Sequence, residues 1–349
     1  MKKILHFILL PAVVVSLVTL NTGCSAKVKK AYHESRADKY FAAGQYDAAE
    51  VEYMNVLRND SGNAKAFARL GTIFFDQGRF QTAGAFLGRA SALATNDLDV
   101  RVKLGVVLAA SGRLKEAREQ ANFILERDPH AVEAPLLLVQ TLGSPKEAEG
   151  LRTQLEKYVR AGDSASLQVA LARLTFRVGE TNVALAALKR ALVLDPKSPA
   201  ALESMGAWYA SQNDLKNAEL NFKAAADLSP PRSIQRMLYA RFKLQSGDLE
   251  AARRVLDEVI KQAPDYIPAM MGLGEIALNE KKYDVCRAQL DKVLAREPDS
   301  FDGLTLDGRL RFAQGDVAGM ITTLERLAKV YSQVPQVHYQ LGADRKSVV

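Results

Sequence analysis

Leu202-Glu203-Ser204-Met205-Gly206-Ala207-Trp208-Tyr209 is the stretch that decides the fold, together with Leu215, Ala218, Phe222, Ala225 and Pro230 after it. Leu202, Met205, Gly206 and Tyr209 recur at spacings of three and four, which puts them on one face of a helix. Gln212-Asn213-Asp214 breaks that pattern, and Leu215, Ala218, Phe222 and Ala225 restart it. Pro230 then ends the second run, because proline cannot continue a helix and restrains the residue before it. The stretch reads as two short antiparallel helices that meet through small residues.

Working outward, the same pattern returns every 34 residues. Gly44, Gly78 and Gly112 are 34 apart. Gly179, Gly247 and Gly315 follow at intervals of 68, with Asn213 and Lys281 at the midpoints. Ala49, Ala83 and Ala117 keep the period, as do Ala184, Ala218 and Ala252, and Pro196, Pro230, Pro264 and Pro298. The register defines units at 30–63, 64–97, 98–131, 132–164, 165–198, 199–232, 233–266, 267–300 and 301–334. Two helices cannot bury an apolar stripe by themselves, so such units are stable only when stacked. Stacking also explains how 349 residues fold without one oversized core, since single cores stop growing at roughly 250–300 residues.

Three regions depart from the pattern. The unit at 132–164 is one residue short, with Pro135 near its start and Gly143-Ser144-Pro145 at its turn. It predicts a kink between one segment at 30–131 and another at 165–334. The unit at 301–334 carries Asp307 where leucine is expected and Ser332 where proline is expected. Residues 335–343 begin a further unit, with His338, Leu341 and Gly342 in register. Residues 344–349, Asp344-Arg345-Lys346-Ser347-Val348-Val349, interrupt it and read as a non-native tail on a truncated chain.

The repeat resembles the tetratricopeptide-repeat (TPR) family. Phe67, Leu70, Gly71, Phe74, Gly78, Phe80, Ala83 and Ala90 follow the family pattern through one unit, and the residues quoted first follow it through another. The resemblance implies an all-α, right-handed solenoid of antiparallel helix pairs, and close approach at Gly71 with Ala83 and at Gly206 with Ala218. It also implies that the first helix of each unit lines a concave surface that holds peptides or partner helices. Position nine of those helices reads Asp38, Thr72, Val106, Gln140, Arg173, Ala207, Arg241, Glu275 and Arg309. Arg173, Arg241 and Arg309 recur at alternate units, and Arg177 lies one turn beyond Arg173 on the same face. Guanidinium groups take carboxylates bidentately. Arg173, Arg177, Arg241, Arg309 and Glu275 are therefore the expected groove residues, for protein partners with acidic or C-terminal segments or for an acidic glycan; the alternative is solvated arginines partly paired with Glu203 and Glu275. The Lys/Asn set of chaperone-binding TPR clamps is not present in the first units.

The N-terminus reads as an address. Met1-Lys2-Lys3 precedes an apolar run from Ile4 to Leu20, too short for the roughly 20 residues a spanning helix needs. Thr22-Gly23-Cys24 resembles a bacterial lipobox, although Asn21 stands where the family pattern has leucine. The expectation is a lipoprotein signal peptide at 1–23, acylation of Cys24 and a tether at 24–29. Cleavage after Ala26 and an uncleaved anchor are the other outcomes. A lipid anchor places the chain in a Gram-negative cell envelope, on a membrane and facing the periplasm.

Little points to chemistry. The net charge of +7 includes Lys2, Lys3, Lys27, Lys29 and Lys30, and the rest is mixed in sign, so no nucleic-acid footprint stands out. The four histidines, His6, His33, His130 and His338, are scattered and show no metal spacing. Gly272-Leu273-Gly274-Glu275-Ile276-Ala277 matches a dinucleotide fingerprint in letters, but lies inside a helix where that fingerprint needs a strand-to-helix turn. Cys286 stands in an alanine slot, and Trp208 neighbours a core position. The expectation is a non-enzymatic scaffold without cofactor or metal. It would serve exopolysaccharide export, protein sorting or envelope assembly, in the manner of TPR lipoproteins that accompany exosortase/PEP-CTERM systems. The alternatives are the substrate-recruiting arm of an enzyme whose catalytic domain is missing, and a cytoplasmic adaptor.

Overall fold

The computed structural model describes residues 27–331. The signal segment, Cys24 and the stretches at 335–343 and 344–349 lie outside the described residues. Helix α1 (residues 27–42) is already helical inside the stretch expected to be a tether, and Lys30 ties it to Asp60 at 2.7 Å. There follow α2 (Tyr46–Asn59), α3 (Ala64–Asp76), α4 (Phe80–Leu93), α5 (Leu98–Ala110), α6 (Leu114–Arg127) and α7 (Glu133–Gln140). A 3-10 turn (Pro145–Glu147) leads into α8 (Ala148–Ala161), α9 (Ala165–Arg177), α10 (Thr181–Leu194), α11 (Pro199–Ser211) and α12 (Leu215–Asp227). The array ends with α13 (Ile234–Gln245), α14 (Leu249–Gln262), α15 (Ile267–Asn279), α16 (Tyr283–Arg296), α17 (Phe301–Ala313) and α18 (Val317–Val330). No strand occurs among the described residues.

Local chemistry explains why each helix starts and stops where it does. Six of the first helices begin on a capping side chain, whereas α7 and α15 do not. Asn63 accepts from the Ala66 amide, Asp97 from Val100, Ser164 from Leu167, Ser198 from Ala201, Ser233 from Arg236 and Ser300 from Gly303. The turns inside the units need a left-handed residue, supplied by the recurring glycines and, at the two midpoints, by Asn213 (φ 60°) and Lys281 (φ 59°). Asparagine tolerates that conformation, whereas lysine pays for it.

The close approaches differ in detail from the expected pairs. A Cβ on Gly71 would sit 2.7 Å from Leu87 Cδ2, not against Ala83, and one on Gly206 would sit 3.0 Å from the Phe222 ring, not against Ala218. The fully buried alanines beside them let the second helix come near, and the leucine or phenylalanine one turn further on fills the glycine notch.

The unit at 132–164 is built differently. Its first helix, α7, has only eight residues. Arg118 of α6 holds the turn that follows, donating to Thr141 Oγ1 at 2.9 Å and to the Thr141 carbonyl at 2.7 Å and pairing with Glu147. Helix α7 packs on α9 directly, while α8 leans on α9 more than on α7.

Both helices of the unit at 301–334 form, Ser332 lies outside the described residues, and Asp307 has a partner set. Its buried carboxylate accepts from Arg287 at 2.6 Å, Arg311 at 2.8 Å and Thr323 at 2.6 Å. Cys286 is fully buried, packed with Ala277, Leu290 and Leu306, and burial pushes its thiol up. Trp208 is partly buried, and its ring N–H donates to the Thr181 carbonyl at 3.0 Å.

Candidate functional site: the inner wall of the coil

Which side of the array is concave follows from the packing. Each first helix from α3 to α15 touches the first helix of the next unit, the last of them α17, while no comparable packing joins successive second helices among the described residues. A stack whose first helices crowd and whose second helices splay must curve toward the first helices. Those eight helices, continued by α1, form the inner wall.

The five expected groove residues sit on these helices, and they are not equivalent. Arg173 is engaged within the wall, donating to Glu203 and to Ser204 Oγ, both at 2.9 Å. Arg177 donates to the carbonyls of Val139 at 3.1 Å and Leu142 at 3.0 Å. Arg177 thereby holds the C-terminal end of the short α7: the Val139 carbonyl, which also accepts from the Leu142 amide at 3.2 Å, and the Leu142 carbonyl two residues past the helix end. Arg309 meets Glu275 at 3.4 Å, with the two side chains 50% and 42% exposed. Arg241 is exposed and makes no ion pair among the described residues, acting only at longer range on Asp302. Burial pushes the Asp302 carboxyl up, and Arg241 partly offsets that. One turn beyond Arg309, Phe312 is 60% exposed.

Thus Arg241 and the Arg309–Glu275 pair are exposed to solvent, whereas Arg173 and Arg177 hold the wall together. Pairing with Glu203 and Glu275 is the alternative reading of the sequence, and the structure has both pairs; spacing could not show that Arg241 stays unpaired among the described residues or that Arg177 meets backbone carbonyls. Those carbonyls lie where the first helix of the preceding unit stops early. Exposure of Phe312 was also not read from the sequence, although its spacing of three from Arg309 is a usable signal.

The second feature that sequence reading missed is the closure of the coil. In the structure the edge carrying the turns inside the first two units rests on the edge carrying the loops between later units. The Ile267 amide donates to the Gln77 carbonyl at 3.0 Å, and Gln77 Nε2 donates to Asp265 at 2.9 Å. Arg296 grips Asp47 with two bonds of 2.9 Å, and Thr82 donates to Glu297 at 2.5 Å. The Arg232 guanidinium lies 4.4 Å from the centre of the Tyr46 ring. No periodic signal announces these contacts, because they join residues up to 249 positions apart.

Among the described residues no group of three or more His, Cys, Asp or Glu side chains is arranged to hold a metal ion. Nor is any described helix long and apolar enough to cross a membrane.

These helix pairs, stacked with first helices inward, define an α-solenoid for protein recognition. The chain belongs to the tetratricopeptide repeat family: two family models of that description match residues 74–134, 209–270 and 243–310, and residues 35–97 and 169–233. The stretch they leave between 134 and 169 contains the irregular unit. Superkiller complex protein 3 of Mus musculus is 24% identical over 286 residues, 75% of this chain and 18% of that protein. Cellulose synthase operon protein C of Xanthomonas axonopodis pv. citri (strain 306) is 23% identical over 296 residues, 82% of this chain and 18% of that protein. The chain therefore spans under a fifth of the length of either relative. Among solved structures, the APC/C hetero-tetramer Cut9-Hcn1 matches with a TM-score of 0.53 at 15% identity, covering 89% of this chain and 68% of that one. That likeness concerns the fold. TPR arrays are protein-interaction scaffolds, and this chain is built as one.

Proposed function

We propose that the protein is a cell-envelope adaptor that binds an acidic or C-terminal segment of a protein partner on its inner wall. The observation that carries this is Arg241, exposed on α13 and free of ion pairs among the described residues. Arg309 supports it from α17, since an incoming carboxylate can replace Glu275 without leaving a buried charge behind. Phe312 adds an apolar contact beside them.

The envelope part of the reading rests on the N-terminal sequence. Acylation of Cys24 would hold the array on a membrane of a Gram-negative bacterium, facing the periplasm. A role in exopolysaccharide export, protein sorting or envelope assembly is supported by that layout. The similarity to a bacterial protein named for a cellulose synthase operon points the same way. The array recruits and does no chemistry of its own.

Fluorescence anisotropy with a panel of acidic, neutral and basic peptides tests the groove. Acidic peptides should bind best, and Arg241→Glu with Arg309→Glu should weaken them at least tenfold while Arg190→Glu, a charge reversal on second helix α10, leaves them unchanged. Equal binding of the whole panel, or no loss in the double variant, ends the groove reading. Incorporation of radiolabelled fatty acid into the wild type, abolished by Cys24→Ser, tests the anchor separately.

A further inference from the structure

Across the closure, turn meets turn and no helix packs on a helix. On one side stand Tyr46, Asp47, Gln77, Gly78, Arg79 and Thr82, clustered where second helices α2 and α4 begin. On the other stand Arg232, Asp265, Ile267, Pro268, Arg296 and Glu297, in the loops that join successive units or at the helix ends that border them. One turn of the coil therefore rests on the next through a seam of ion pairs and single hydrogen bonds.

The seam has the character of a contact that comes apart. The Arg296–Asp47 pair is reached by solvent, with Asp47 62% exposed, and exposed pairs weaken as salt screens them. Arg79 faces Glu297 only at 3.7 Å, and its Nε has no hydrogen-bond partner. The apolar part is small and close: a Cβ on Gly78 would lie 2.5 Å from Pro268 Cδ. The apolar cores on either side run from unit to unit along the stack, so parting the seam leaves those stacking contacts in place and uncovers only the buried seam residues Gln77, Asp265, Ile267 and Glu297.

Position supplies the consequence. The inner wall of a spiral is reached along its axis or through the slot between successive turns. Here the seam shuts that slot between the first two units and the units at 233–266 and 267–300. We propose that the seam is an electrostatic clasp. Closed, it limits entry to an extended chain moving along the axis; released, it opens the wall from the side. Solenoids flex by small rotations spread over many units, so release needs no unit to unfold. The shortened unit at 132–164, packed unlike its neighbours, lies between the two halves of the seam and is where the rotation is concentrated.

The test is a distance measured in the full chain without any partner, which keeps it independent of the groove reading. Cysteines placed at Arg89 and Lys292, exposed positions on α4 and α16 either side of the Thr82–Glu297 contact, carry spin labels in a Cys24→Ser, Cys286→Ala background. Pulsed electron paramagnetic resonance should give one short distance at low salt and a second, longer population at 1 M salt, where the Debye length is roughly threefold shorter than at 0.1 M. Asp47→Lys and Arg296→Glu should each populate the long distance already at low salt, and combining them should restore the short one. Gly78→Ala should also lengthen the distance. Gly112→Ala, at an equivalent left-handed turn with nothing within 4 Å, should leave it short. Circular dichroism of each variant separates opening, with full helicity, from unfolding. A long distance in the unsubstituted chain at low salt would mean the seam does not form. A single short distance in Asp47→Lys, in Gly78→Ala and at high salt would make it a fixed joint; either result overturns the clasp.

Discussion

Asp307 is the residue whose replacement should teach most about how this array is held together. The family pattern asks for leucine there, yet the position carries a carboxylate that is 4% exposed. Its charge is met by Arg287 at 2.6 Å and Arg311 at 2.8 Å, with Thr323 donating at 2.6 Å. Removing one partner of a fully buried pair costs about 3–5 kcal/mol, because the other charge is stranded. Here the two arginine side chains are 31% and 33% exposed and return to water. We therefore expect Asp307→Ala to cost about 2 kcal/mol, from the lost charged hydrogen bonds and a small cavity. Asp307→Leu restores apolar packing and should lie within about 1 kcal/mol of wild type, since buried ion pairs are often replaceable by hydrophobic residues. A repeat array does not unfold as one unit, so the measurement is local: amide hydrogen exchange of α17 and α18. A 2 kcal/mol loss speeds their exchange roughly 30-fold. The pH dependence has a definite sign. Burial alone would raise the Asp307 carboxyl, but bonds from Thr323, Arg311 and Arg287 outweigh it and hold the group below its ordinary value of 3.8. A depressed carboxyl stabilises fully above the unfolded value and loses that contribution as pH falls through the folded one. The gap between wild type and Asp307→Ala should hold constant from pH 7 to pH 5 and shrink only below about pH 4. Exchange in Asp307→Ala within threefold of wild type, or Asp307→Leu as damaging as Asp307→Ala, would refute the reasoning.

Two further changes probe the local geometry. Lys281 pays for a left-handed backbone at φ 59°. Lys281→Gly should stabilise α15–α16 by about 0.5 kcal/mol after glycine's greater unfolded entropy is subtracted, while Asn213→Gly changes α11–α12 less. Exchange protection of the two helix pairs measures both, and a loss of protection in Lys281→Gly would count against the strain. Arg118→Ala removes the three ties that hold the turn after α7. Exchange should rise at residues 141–147 by about tenfold, with α3 and α4 unaffected; an unchanged turn would show that Arg118 does not hold it.

The period of this protein was legible from its residues because everything that sets it is local. Caps, left-handed turns, closing prolines and glycine notches act within one unit, so they recur every 34 residues and can be counted. The same count put Arg173, Arg241 and Arg309 at one position of their first helices, and the resemblance to the TPR family implied that this position faces inward. The count could not say which of them a ligand would find free. That depends on neighbours in adjacent units: Glu203 takes Arg173, the carbonyls at the end of the short α7 take Arg177, and no described residue pairs with Arg241. Nor could it close the coil. A superhelix accumulates a small rotation at every joint, and whether two edges meet depends on the sum over several joints, one of them irregular. Gln77 and Asp265, 188 residues apart, bear no mark of each other in the sequence, and only the folded stack brings them within a hydrogen bond.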